Sequence, residues 1–272
     1  MAGSKWQISD ELWDKMAPLI PEHKTHHPLG THRKRVDNRA AMNAIFFVLR
    51  TGCQWNALNA TGICSSSSAH RRFQEWRDAG VFERFWQNGL LASEQLDAID
   101  WSWLSIDGCM TKSPLAGKKI GRNPTDRGKQ GVKRSLMTDG NGLPLALVVA
   151  GANMHDIKLV ADTLDALQTG RPCKRLRLCM DKGYEAEWLG SYLKTRAMSL
   201  ISNRGKKNLR RSKNSDFKTH LWVVERTHSW MNRFRRVLTR WEKKVENSRG
   251  MFLSRTKDFI NVLICKVDTI IY

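Results

Sequence analysis

Two aspartates close short alternating apolar stretches. In "WSWLSIDG" the alternation runs into Asp107 and Gly108, and in "KRLRLCMDKGY" Leu176, Leu178 and Met180 alternate before Asp181, Lys182 and Gly183. Period-two alternation is the mark of a half-buried strand. Each carboxylate is therefore expected at the end of a strand, and the ends of adjacent strands are where open α/β sheets carry their sites. A third acid, Glu225, stands in a stretch with helical spacing. Three carboxylates supplied by separate elements can hold two divalent cations, which phosphoryl transfer needs about 3.5–4 Å apart to activate an attacking oxygen and stabilise a leaving one. Oxygen-only donors suit Mg²⁺ or Mn²⁺.

On a helical wheel centred on Glu225, the residues Val223, Trp230, Phe234, Val237 and Trp241 fall opposite, with Met231 and Leu238 beside them. Ser229, Asn232 and Arg236 fall near the glutamate, and Arg226 and Arg233 about a quarter turn away. The helix alone leaves Glu225 facing solvent. Its surroundings favour chemistry: it is one acid among many cations, on the helix that follows the most basic loop of the chain. The 272 residues carry 46 Lys and Arg against 26 Asp and Glu, a net charge of +20 with pI near 10.1. Between Asn203 and Lys244 there are 14 basic and three acidic residues, so this segment holds more than half of the excess. Such a balance points to a polyanionic partner, with nucleic acid foremost. A polybasic membrane-surface protein fits the charge but has no lipidation signal or basic amphipathic anchor in the sequence to support it.

These acids need a scaffold. The first 95 residues read as helical: Ser9 caps "DELWDKMAPLI", Asp37 or Asn38 starts "RAAMNAIFFVLRTG", and Gly52 ends it. A short "QWNALNA" and a turn at "TGIC" lead into "SSSSAHRRFQEWRDAGVFERFWQNGLL", read as one helix capped within Ser65 to Ser68. Short helix, Gly-containing turn and second helix make a helix-turn-helix outline. It would present Ser67, His70, Arg71 and Arg72 to DNA, although a plain serine-rich helix start has the same outline. From Trp101 the pattern becomes strand, basic Gly-rich connection, a hairpin of "VKRSLMT" and "LPLALVVAG" around "DGNG", helix, strand, helix, short strand and a long helix from about Leu221. That order specifies a mixed sheet flanked by helices.

The six cysteines are scattered without zinc-like spacing and read as buried reduced thiols. His23, His26, His27 and His32 read as a solvated linker, Asp139 as the first residue of its turn, Asp126 as a loop ion-pair partner and Asp156 as a helix N-cap. No signal peptide is apparent and no apolar run approaches the ~18 residues of a membrane span, so a soluble cytoplasmic, nucleoid-associated protein is expected.

The blocks "LRTGCQWNALNATGICSSSSAHRRFQEW", "LSIDGCMTKSPLAGKKIGRNPTDRGK", "KRSLMTDGNGLPLALVVAGANMHD", "CMDKGYEAEWL" and "WVVERTHSWMNRFRRVLTRWEKKVEN" together resemble the insertion-sequence-five family of transposases, of the class with an Asp-Asp-Glu triad. The resemblance runs from about Ile8 to Asn247. It implies a ribonuclease-H-like mixed sheet as a catalytic domain over 96–272, with a basic loop at 203–220 and C-terminal helices, preceded by a helical DNA-end-binding domain over 1–95. It implies Asp107, Asp181 and Glu225 as catalytic metal ligands with two Mg²⁺ or Mn²⁺ ions per site. Hydrolysis would expose a 3′-hydroxyl that attacks target DNA directly, with no covalent protein intermediate. At least a homodimer would bring two terminal inverted repeats together.

The 43 residues between Asp181 and Glu225 leave no room for an added domain. A broader signature of related transposases has Tyr and Arg before the glutamate and Lys seven positions after it. Here Leu221 stands four before, and Asn232 followed by Arg233 stands at the later position. Around the triad, Lys133, Arg134, Lys182, Arg204, Lys206, Lys207, Arg226, Arg233 and Arg236 are the candidate DNA contacts. Two other readings compete: a DNA-binding repressor without catalysis, and a structure-selective nuclease that cuts without joining.

Overall fold

A computed structural model describes residues 7–23, 34–167, 169–202 and 220–254. The chain opens with helices whose starts are fixed by side-chain caps. Ser9 Oγ accepts from the Leu12 N–H at the start of α1 (Asp10–Met16), Asp37 Oδ2 from the Ala40 N–H at α2 (Asn38–Thr51), and Ser65 Oγ from the Ser68 N–H at α3 (Ser66–Asp78). The segment "QWNALNA" forms a 3₁₀ turn over Trp55–Ala60. The single helix expected after Ser65 is two helices: α3 stops at Asp78, and α4 (Val81–Gln95) starts after Gly80. Gly80 has φ +69°, a left-handed turn that favours glycine, and it reverses the chain so that both apolar stripes are buried.

The sheet follows the expected order, with one short strand added. β1 (Leu104–Lys112), β3 (Gln130–Thr138) and β4 (Pro144–Gly151) form an antiparallel meander, and β2 (Gly121–Arg122) pairs with the start of β3. β5 (Leu176–Met180) lies parallel to β1, and β6 (Met198–Ser202) parallel to β5. Across the sheet the main strands therefore run β4, β3, β1, β5, β6. Three antiparallel strands continued by two parallel ones make a ribonuclease-H-like sheet. α5 (Val160–Asp165) packs on β3 and β4, α6 (Glu187–Thr195) on β6, and α7 (Leu221–Asn232) on β1 and β3.

The helical region and the sheet share one contiguous core, which runs from Ile8, Ile45, Phe73 and Trp86 to Leu104, Ile106, Leu136 and Leu178. Trp86, buried on α4, donates its indole N–H to the Pro144 carbonyl of β4 at 3.3 Å.

The long helix expected from Leu221 through Trp241 is shorter. α7 ends at Asn232, Phe234 is extended, α8 covers only Arg235–Leu238, and Thr239 pairs with Lys112 of β1. Tertiary bonding overrides the helical period. The Arg240 N–H donates to the Lys112 carbonyl at 2.9 Å, and the buried Arg240 side chain donates to the carbonyls of Glu242, Lys118 and Lys243. The expected apolar stripe is rotated accordingly. Val223, Val224, Thr227, His228 and Met231 are buried, whereas Leu238 and Trp241 are exposed. Residues 245–254 are again helical.

Candidate active site

β1 does not stop at Asp107, as the alternation suggested, but runs on to Lys112. What stops is its pairing with β5. Leu104 pairs with Leu178 and Ser105 with Cys179, and the pairing ends there, two residues short of both Asp107 and Asp181. Beyond that point β1 pairs with β3, Asp107 with Leu136, until Thr239 bridges to Lys112 at its far end. Asp181 leaves β5 into the 3₁₀ turn Lys182–Tyr184, and its Oδ1 accepts the Lys182 N–H at 2.7 Å.

Glu225 comes from α7, which is fixed over the sheet by polar contacts along its length. Ser105 Oγ donates to the His220 carbonyl at 3.4 Å, and the His220 ring stacks on Trp103 with centroids 3.6 Å apart. Thr227 Oγ1 donates to the Gly142 carbonyl at 2.9 Å, and Arg226 Nη2 to the Asn141 carbonyl at 2.7 Å. His228 Nε2 lies 3.4 Å from the Asp107 carbonyl, and Arg134 Nη2 donates to Asn232 Oδ1 at 2.7 Å. Glu225 itself is exposed, at the edge of the face that α7 buries.

Burial pushes the Asp107 carboxyl up to about 6, and the charges of Asp156, Glu225 and Asp181 add to the shift against the Gly108 N–H, which lowers it. Burial pushes His228 down to about 3, helped by Arg134, so its imidazole is neutral. The Tyr184 phenol is pushed above its ordinary value by burial and by Asp156, Asp107 and Asp181.

Asp156 belongs to this group, and its expected N-cap role falls to His155, whose ring accepts the Ile157 N–H at 3.4 Å. Asp156 instead pairs with Lys133 at 2.7 Å. Asp126 makes its loop ion pair with Lys129 at 3.2 Å. Asp139 is the turn residue expected, accepting from the N–H groups of Asp100, Asn141 and Leu143. The five cysteines within the described residues are free, but only Cys179 is buried. Among the described residues no helix is long and apolar enough to cross a membrane.

The candidate DNA contacts divide by burial. Ser67 and Arg71 are exposed one turn apart on α3; Lys182, next to Asp181 in the chain, and Arg233, at the end of α7, are also exposed. Four others are committed inside the protein: Arg72 donates to the Val36 carbonyl, Lys133 pairs with Asp156, Arg134 holds Asn232, and Arg236 pairs with Glu242 and donates to the Cys53 carbonyl. His70 is half-buried and packs its ring on Trp55. The Arg226 guanidinium lies between the rings of Trp222 and Trp230, at 4.7 and 4.9 Å. Arg204, Lys206 and Lys207 lie outside the described residues, as do His26, His27 and His32.

Gly108 is marked in the sequence by its place directly after the first acid, whereas neither alternation nor the helical wheel marks Tyr184 or His228.

The family model described as "Transposase DDE domain" matches residues 98–255, a span that contains all three acids. The chain belongs to the DDE transposases of insertion sequences. A second model, described as "Putative transposase of IS4/5 family", matches residues 8–86 of the transposase. Over 142 residues it is 37% identical to a Burkholderia cepacia protein named "Putative transposase for insertion sequence element IS402", covering 50% of this chain and 64% of that one. A Burkholderia cepacia "Insertion element IS402 uncharacterized 16.2 kDa protein" is 37% identical over 118 residues, 43% of this chain and 80% of that one. Among solved structures, the piggyBac transposase synaptic complex with hairpin DNA aligns over 94% of this chain and 73% of that chain, with TM-score 0.42 and 10% identity. The Mos1 strand transfer complex aligns over 89% and 81%, with TM-score 0.27 and 12% identity.

Proposed function

We propose that this transposase binds the terminal inverted repeats of its insertion sequence and carries out metal-dependent strand cleavage and strand transfer at Asp107, Asp181 and Glu225. The observation that supports the reading is that the pairing of β1 with β5 ends two residues short of both Asp107 and Asp181, with the charges of Glu225 and Asp181 felt at Asp107. The donor set suits Mg²⁺ or Mn²⁺, two per site, since all three side chains offer hard oxygens and their mutual repulsion around Asp107 is what a cation relieves. Among the described residues no three His, Cys, Asp or Glu side chains form a ready-made cation cage. Bound metal would supply activation of the attacking oxygen and stabilisation of the leaving one.

The remaining roles fall to the chain's own side chains. Lys182 and Arg233, both exposed, hold phosphates, as does the basic loop with Arg204, Lys206 and Lys207. Ser67 and Arg71 face the terminal repeats from α3. The buried cations Arg72, Lys133, Arg134 and Arg236 position the elements that carry these groups. His228, held neutral against the Asp107 carbonyl, fixes α7 without adding charge to the site. Joining two ends calls for at least a dimer.

The test is incubation of the purified protein with Mg²⁺ or Mn²⁺ and DNA bearing its own element's ends. New 3′-hydroxyl ends and joined products are expected, and Asp107→Asn, Asp181→Asn and Glu225→Gln should each abolish them while leaving DNA binding. Full activity in all three variants refutes the triad. Binding without breakage under any metal supports a repressor instead, and cutting without joining a nuclease.

A further inference from the structure

A groove open to solvent, about 740 Å³ in volume, lies where the end of α3 meets the segments that follow β1 and α8. From α3 come Arg77 and Asp78, which pair with each other at 2.6 Å. The connection after β1 supplies Lys118, and the segment after α8 supplies Lys243, Lys244 and Glu246. All three lysines are exposed, and none of them forms an ion pair among the described residues.

The backbone brings two of these lysines together. The buried Arg240 side chain donates to the carbonyls of Lys118 and Lys243 at 2.9 and 3.1 Å, and the Lys118 N–H donates to the Lys243 carbonyl at 3.1 Å. Gly117 permits this approach, because a Cβ there would stand 2.3 Å from the Lys243 carbonyl oxygen. Two segments distant in sequence are thus fixed so that unpaired like charges stand side by side. That arrangement costs free energy in the free protein, and a polyanion offsets it.

The groove also continues the face of α3 proposed to meet DNA. Ser67, Arg71, Gln74 and Asp78 recur at the spacing of one helix face, so the line that starts at the two exposed contacts ends at the groove. Burial lowers the pKa of His70 on the same helix, and the charges of Arg236, Arg77 and Lys244 lower it further. Lys244 is therefore felt at the middle of α3, although it belongs to the segment after α8.

We infer that this groove seats the sugar–phosphate backbone of the DNA duplex that α3 faces, with Lys118, Lys243 and Lys244 holding its phosphates. The inference rests on DNA binding as read above. Phosphate contacts set position and carry no sequence information. The helical region and the segments of the sheet both wall the groove, so a duplex read by α3 is held in register with the strand that carries Asp107.

Fluorescence anisotropy of the full chain tests it across a salt titration, with one labelled duplex bearing its element's ends and one unrelated. Lys118→Ala, Lys243→Ala and Lys244→Ala together should lower the slope of log affinity against log salt by about three on both duplexes, and each alone by about one. The three Lys→Arg replacements should keep the parent slope. Lys174→Ala with Arg175→Ala is the control, since both are exposed and precede β5, whose parallel pairing with β1 puts them at the other end of the sheet. That pair should leave the slope unchanged. If the alanine variants keep the parent slope, or the control lowers it equally, the groove does not hold DNA and the inference is wrong. If the parent chain binds neither duplex, the DNA-binding reading itself fails and this one falls with it.

Discussion

At the scale of single residues, Gly108 and Asp139 decide more than their types suggest. Gly108 admits the Asp156 carboxylate, so Gly108→Ala forces a shift of that side chain or of β1. The expected cost is about 1–3 kcal/mol of stability from overpacking, seen in urea denaturation, together with loss of strand cleavage. Asp139 accepts three backbone N–H groups, two of them within the β3–β4 turn that Thr227 and Arg226 grip from α7. Asp139→Ala strands those donors and should cost roughly 2–4 kcal/mol in the same measurement. Asp139 was legible as a turn residue because turn chemistry is local. The company Asp156 keeps was not legible, because its partner Lys133 lies on another strand and its N-cap role belongs to the neighbouring His155.

At the scale of elements, strands and caps were readable and helix lengths were not. Ser9, Asp37, Ser65 and Gly52 announce helix ends through side-chain or backbone chemistry within a few residues. The β3–β4 hairpin and the strands before Asp107 and Asp181 follow from alternation. The period that carried the wheel past Asn232 holds no information about Lys112, whose pairing with Thr239 pulls the chain out of helix. The same break buries the Arg236 and Glu242 side chains against each other at 2.6 Å. Arg236→Ala leaves Glu242 buried without a counter-charge, and an expected loss of about 3–5 kcal/mol is read from its denaturation midpoint. Replacing both with apolar residues of similar volume should restore most of it.

At the scale of the whole molecule, the helical region and the sheet are joined through one core and through Arg236, which reaches from α8 to the Cys53 carbonyl beyond α2. Far-ultraviolet circular dichroism and tryptophan fluorescence should therefore report a single coincident unfolding transition, and two separated transitions would contradict the shared core. The net charge of +20 makes DNA affinity salt-dependent, and its distribution decides which cations matter. Arg71→Ala, at an exposed position, should reduce the slope of log affinity against log salt by about one, whereas a buried cation such as Arg72 should change stability and leave the slope alone.

The stacking of Trp103 on His220 has an optical consequence. An imidazole in face contact with an indole quenches its emission, and more strongly when protonated. Trp103 lies just before the strand that carries Asp107, and His220 just before the helix that carries Glu225. The difference in emission between the parent chain and Trp103→Phe is thus a built-in gauge of whether that helix is seated on the sheet, readable in solution without any label.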